Sequence, residues 1–191
     1  MTGDSLALAP GTIVDDLRID RVLGQGAFGI TYLVTDQVLN KSFALKEYLP
    51  RDKVARSADG GLLPVSGQDP GLYSSGLSHF IAEGRTVAQL DHPNIVTVFR
   101  CFEANGTAYL LMPYYRGEAL HKLLKRSGTL TGEEARALSQ PLLLALEYIH
   151  GKGVIHQEPG KGGDHGSGHP DLLFPILKQP VRIIYIVLNK H

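Results

Sequence analysis

The chain has 191 residues, 43% of them apolar and 20% charged, with 19 basic against 19 acidic side chains. That length suits one domain with a sizeable core, and the even charge excludes a globally basic nucleic-acid binder or a chain drawn as a whole to an anionic membrane. The single cysteine, Cys101 in the strand-like V-F-R-C-F, excludes an internal disulfide and reads as a buried thiol in a reducing compartment.

Residues 1–16 read as a leader, with 1–12 a loose segment lacking the basic start and apolar run of a signal peptide. The longest late apolar run, Ile183 to Leu188, falls far short of the roughly 20 residues of a membrane-spanning helix, so a cytoplasmic protein without a membrane span is expected. From Leu17 the pattern is strand-like: L-R-I-D-R-V-L, a glycine-rich turn, I-T-Y-L-V-T-D, a turn at Asn40-Lys41, then S-F-A-L-K-E. Residues 49–76, rich in Gly, Pro, Ser and Asp, read as an inserted loop with little regular structure.

Helical spacing from Ser78 to Leu90 places Phe80, Val87 and Leu90 near one face, and Gly84 should weaken that helix by about 1 kcal/mol relative to Ala. His92-Pro93-Asn94 ends it. Two strands, I-V-T-V-F-R-C-F and A-Y-L-L-M, are expected on either side of an Asn105-Gly106 hairpin turn. A short helix spans Ala119 to Arg126. A longer one opens near Thr131, where Thr131 and Glu134 have capping-box spacing, and carries Leu138, Leu142, Ala145, Leu146 and Ile149 at helical intervals. Pro141 should kink it or sit where a backbone bond is missing, and Gly151 and Gly153 close it. Residues 156–170 are a Gly- and His-rich loop, and the apolar tail beyond could form one or two strands.

Gly24, Gly26 and Gly29 carry the first chemical signal. They lie between two strands, with Lys46 seventeen residues beyond Gly29 on the next strand. Glycines let backbone N–H groups approach phosphate oxygens, and a strand lysine adds positive charge there. Taken alone, such glycines serve a plain hairpin turn equally well. A lysine on a half-buried strand needs a carboxylate, and Glu83, mid-helix and just ahead of H-P-N-I-V, is the candidate. The alternative for Glu83 is an exposed helix acid beside Arg85.

L-G-Q-G-A-F-G, A-L-K and a Glu before H-P-N-I-V together resemble the protein kinase family, and G-I-T-Y-L, A-L-K-E-Y-L-P and E-A-N-G-T-A-Y-L-L-M are similar to bacterial serine/threonine kinases. The resemblance runs from Leu17 to His156. It implies an α+β, protein-kinase-like fold: an antiparallel N-lobe sheet with one αC-type helix, plus a partial helical C-lobe. By it, residues 17–115 are the N-lobe and hinge, 116–156 the partial C-lobe and 157–191 a divergent tail. The implied nucleotide site uses Leu23, Gly24, Gly26, Gly29, Thr31, Ala44 and Lys46, with Met112 as gatekeeper and Tyr115 as the main hinge donor. The implied ligand is ATP, the implied cofactor magnesium, and the implied reaction transfer of the γ-phosphate to Ser or Thr of a protein substrate whose identity the sequence leaves open. Lys46 and Glu83 would hold the phosphates.

The match then fails. After V-I-H the family places an Asp that orients the substrate hydroxyl, a Lys for the γ-phosphate and an Asn for magnesium. Here those positions are Glu158, Gly160 and Gly163, and the family's Arg is Gln157. Glu158 is a substitute base one methylene longer. No D-F-G is present, and Asp164-His165-Gly166 lies only six residues past Glu158, so the magnesium ligands are missing. His156, His165, His169, Asp164 and Asp171 fit no familiar zinc spacing, and no metal site is assigned. Two readings stand: a kinase using Glu158, whole or as a fragment, or a nucleotide-binding pseudokinase or truncated, frameshifted fragment acting as a binding module. Cover for the apolar face of the last helix would have to come from the tail.

Overall fold

The computed structural model describes residues 6–67, 69–117 and 120–153. Eight strands and three helices follow in chain order: β1 (Ile13–Val14), β2 (Leu17–Gln25), β3 (Gly29–Asp36), β4 (Lys41–Tyr48), β5 (Val54–Arg56), β6 (Leu62–Pro64), α1 (Pro70–Ala88), β7 (Arg100–Ala104), β8 (Thr107–Pro113), α2 (Leu120–Ser127) and α3 (Gly132–Gly151). The described residues fall into two compact units, 6–85 with 98–114, and 86–97 with 115–153.

The first unit is built on a six-stranded antiparallel sheet in the order β1-β2-β3-β4-β8-β7. β4 sits near its centre, with Lys46 opposite Thr31 on β3 and Leu110 on β8. The sheet curls until its two edges meet: Arg100 on β7 pairs with Asp16 at 2.9 Å and with Asp15, both in the β1–β2 turn. Leu17, Ile19, Tyr32, Val34, Leu45 and Tyr109 fill its buried side and are at most 1% exposed. Each such side chain contributes about 1.5–3 kcal/mol on burial.

Several expectations for this unit change. Residues 6–14 are not a loose leader. Leu8 is buried and its N–H donates to the Tyr32 hydroxyl (3.1 Å), while Gly11 and Thr12 exchange backbone bonds with Ile19 (both 2.8 Å). The inserted segment is not irregular: it forms the β5–β6 hairpin, burying Val54 and Leu62. Finally, α1 starts at Pro70, eight residues before the expected Ser78. Asp69 accepts from the Gly71 N–H through its side chain (2.8 Å), and a proline suits the first helical position because its missing N–H would have no partner there.

Two glycines that weaken α1 in isolation let it approach the sheet. A Cβ at Gly84 would collide with the Leu110 side chain and stand 3.4 Å from Cys101 Sγ, and one at Gly76 would collide with the Tyr48 hydroxyl. Tyr73, Phe80, Glu83 and Val87 form the buried face. The Tyr48 ring packs at a tilt against those of Tyr73 (5.7 Å) and Phe80 (5.5 Å). Burial pushes the Tyr48 and Tyr73 hydroxyls and the half-buried Cys101 thiol above their usual pKa ranges. The strand expected from Ile95 begins only at Arg100, because Ile95 is held in a turn by its bond to the His92 carbonyl (3.0 Å). Asn105 and Gly106 both have positive φ and make the expected hairpin turn.

In the second unit, α3 carries the capping box foreseen at Thr131 and Glu134. The helix runs through Pro141, which removes one ladder bond without ending it. Leu138, Ala145 and Ile149 are buried, whereas Leu143 and Leu144 stay exposed. Tyr148 stacks on His92 (5.1 Å) and its hydroxyl accepts from the Asp91 N–H (3.3 Å), which ties the segment after α1 to α3. Gly153, at φ 73°, takes the left-handed conformation that closes the helix.

Candidate functional site

The glycine turn joins β2 to β3, and its ends are fixed by local sterics. Gly24 stands opposite Thr31, and the Gly26 N–H donates to the Gly29 carbonyl across the turn (2.8 Å). A Cβ at Gly29 would lie 2.5 Å from the Glu47 carbonyl oxygen, so only glycine fits this crossing. At Gly24 a Cβ would meet nothing within 4 Å, which leaves open space over the turn. Leu23 is half-buried beside it.

On β4, the side chains of Ala44, Lys46 and Tyr48 share one face of the sheet. Ala44 is buried opposite Met112 of β8, itself 4% exposed. Lys46 is half-buried, and its ammonium lies 5.7 Å from the centre of the Phe80 ring. Thr31, across the ladder from Lys46, is 7% exposed. α1 crosses this same face, with Phe80 beside Lys46 and Gly84 against Leu110, the β8 partner of Lys46. Glu83 lies between those two positions and is 1% exposed. A buried carboxylate and a half-buried ammonium are thus carried by two elements that pack at the same place. The exposed-acid alternative for Glu83 is excluded by this burial.

The opposite face of β4 carries a charged residue that the sequence did not flag. Glu47 is fully buried and accepts from the Tyr32 hydroxyl (2.7 Å), the Tyr109 hydroxyl (2.8 Å) and the Arg56 guanidinium of β5 (2.7 Å). Burial first, and then the Glu47 charge, raise both tyrosine pKa values far above normal. Glu47 could not be found by spacing, because its cation sits on an insertion whose fold depends on that same contact.

Tyr115 follows β8 by two residues and is half-buried, and burial raises its hydroxyl pKa. Glu158 and the other positions from His156 to Asp171 lie outside the described residues. No group of three His, Cys, Asp or Glu side chains suited to a metal occurs among the described residues, nor is any described helix long and apolar enough to cross a membrane.

The family model of the protein kinase domain matches residues 17–158. A serine/threonine-protein kinase of Saccharomyces cerevisiae, YPK3, is 32% identical over 152 residues, which cover 75% of this chain and 29% of that protein. A probable serine/threonine protein kinase of Arabidopsis thaliana, IREH1, is 27% identical over 77% of this chain and 10% of its own length. Among solved structures, PpkA-294 in its apo form superposes with a TM-score of 0.74 at 32% identity, covering 78% of this chain and 53% of that one. The Mycobacterium tuberculosis PknI kinase domain superposes at 0.59 with 26% identity, covering 78% and 54%. The chain therefore spans under a third of these curated relatives and about half of the solved kinase chains.

Proposed function

The chain belongs to the protein kinase family, and from that premise we propose that its first unit binds ATP. The family reaction, transfer of the γ-phosphate to Ser or Thr of a protein, is the activity we assign to the lineage. One observation carries the reading. The half-buried Lys46 stands on the sheet face crossed by α1, level with buried Glu83 and next to the strand that leaves the glycine turn.

In this reading backbone N–H groups of the glycine turn other than that of Gly26, which is held by the Gly29 carbonyl, approach the phosphate oxygens over open space, and Lys46 supplies the charge that orients them. Glu83 balances that charge from the helix. Leu23, Thr31 and Ala44 form the apolar floor and Met112 bounds it, while Tyr115 takes the adenine-pairing position by motif alone. ATP supplies the transferable phosphoryl group. The residues present do not fit magnesium, since Gly163 stands where the family has its Asn and no D-F-G occurs. No step is therefore derived through the metal.

That same departure favours a second reading, nucleotide binding without transfer, with Glu158 one methylene longer than the family's Asp and so a poor substitute base. Equilibrium titration with ATP tests the binding. Lys46→Ala should weaken ATP by about tenfold or more, in line with the loss of a charged hydrogen bond, and unchanged affinity would overturn the site. Transfer of label from γ-labelled ATP to protein that vanishes in Lys46→Ala would establish turnover. Binding with no transfer would establish the second reading.

A further inference from the structure

The insertion between β4 and α1 is attached along its length, and its first residues grip the glycine turn. Leu49 donates its N–H to the Phe28 carbonyl (3.0 Å) and Arg51 donates its own to the Ala27 carbonyl (3.4 Å). The Arg51 guanidinium also donates to the side-chain oxygen of Gln25. Three turn residues, Gln25, Ala27 and Phe28, are thus tied to residues 49–51. Gln25, Ala27, Phe28 and Arg51 are all exposed, so these bonds hold a surface loop and do not complete a core.

The far side of the insertion is anchored in the core. Arg56 donates to buried Glu47 (2.7 Å), to the Gly60 carbonyl (2.7 Å) and to the Leu6 carbonyl (2.5 Å). Val65 donates to the Lys53 carbonyl (3.0 Å), and Leu62 to the Asn105 carbonyl at the β7–β8 turn (2.8 Å). The insertion therefore bridges a fixed point, the residue next to Lys46, and the exposed glycine turn. A glycine-rich loop loses much conformational freedom when it closes on a ligand, and a loop already held loses less.

We propose that the insertion is a positioning element for the phosphate-binding turn and that Arg51 is its positioning residue, holding Gln25 and Ala27 in the geometry that receives the phosphates. This rests on the phosphate-site reading of that turn. The test uses the full chain in two measurements. In nucleotide-free protein, amide hydrogen exchange over Gly24–Gly29 should quicken about tenfold in Arg51→Ala and in Gln25→Ala, with β8 amides unchanged. In titrations, both variants should weaken ATP about fivefold and leave adenosine, which has no phosphate, unchanged.

Arg51→Gln, which keeps a donor without the charge, should restore most of both. Unchanged loop exchange in Arg51→Ala overturns the proposal. So does an equal loss of ATP and adenosine affinity, which would mark general destabilisation. Rescue of ATP affinity by Arg51→Lys but not by Arg51→Gln also overturns it, because Arg51 would then act as a charge on the phosphate. If the wild type binds no ATP, the phosphate-site reading falls, and the exchange measurement still decides whether Arg51 holds the turn.

Discussion

Lys46 and Glu47 are neighbours on β4, yet they stand in opposite physical situations. Lys46 is half-buried over an aromatic ring beside a glycine turn with open space above it. Glu47 is sealed behind the sheet and accepts three hydrogen bonds, from two tyrosines and an arginine. The pleat alone separates them. A charge kept partly accessible can serve a ligand, whereas a charge buried with every partner supplied can only serve the fold. The rear network also fixes the strand from which the front lysine projects, so the two faces are linked through one backbone.

Substitutions on the two faces should separate these roles, and the largest effect belongs to the rear. Arg56→Leu leaves the Glu47 charge buried beside only two hydroxyls and should cost about 4 kcal/mol in urea unfolding. A loss under about 1 kcal/mol would mean that the rear network does not depend on Arg56. Gly29→Ala, at the crossing of the two faces, drives a methyl group into the Glu47 backbone oxygen and should cost about 2 kcal/mol. A variant as stable as the wild type would show that the crossing can open.

Away from the sheet, Thr131→Ala removes the α3 cap and should cost about 1 kcal/mol by thermal unfolding. The exposed Glu134 carboxylate there accepts from the Thr131 N–H and hydroxyl, which hold its pKa below the usual value. Its folded pKa lies below its unfolded one. Its contribution is therefore full above the unfolded pKa of about 4.3 and is lost as pH falls through the folded value. A Thr131 amide resonance that moves only above that range would contradict this. The smallest stability effect is expected at the front: Lys46→Met should shift unfolding by about 0.5 kcal/mol at most while still weakening ATP. A large loss of stability would place Lys46 with the fold.

Much of both units was legible from local chemistry. The Asn105-Gly106 turn, the glycine turn between strands and the Thr131–Glu134 cap each depend on residues a few positions apart, and each formed as expected. The insertion was not legible. Its composition is that of a loop, and its strands form because Val54 and Leu62 become buried and Arg56 finds the carboxylate of Glu47 on β4. The start of α1 was missed for a related reason. P-G-L-Y-S-S-G is a poor helix former, and Tyr73 offsets this by packing its ring against Tyr48 and donating its hydroxyl to the Gly106 carbonyl (2.7 Å). Gly84, read as a weakness, is what lets the helix reach Leu110.

The sequence by itself determined the family, the positions of the glycine turn, Lys46 and Glu83, and the departure from the family pattern at Glu158, Gly160 and Gly163. These follow from residue types at fixed spacing, which one dimension records. Only the tertiary structure decided that Glu83 is buried at the level of Lys46, that Glu47 is the hub of the rear face, and that Arg51 reaches back to the glycine turn. Each of these depends on which side of a curled sheet a side chain leaves and on what a distant segment brings to it, and a linear spacing carries neither.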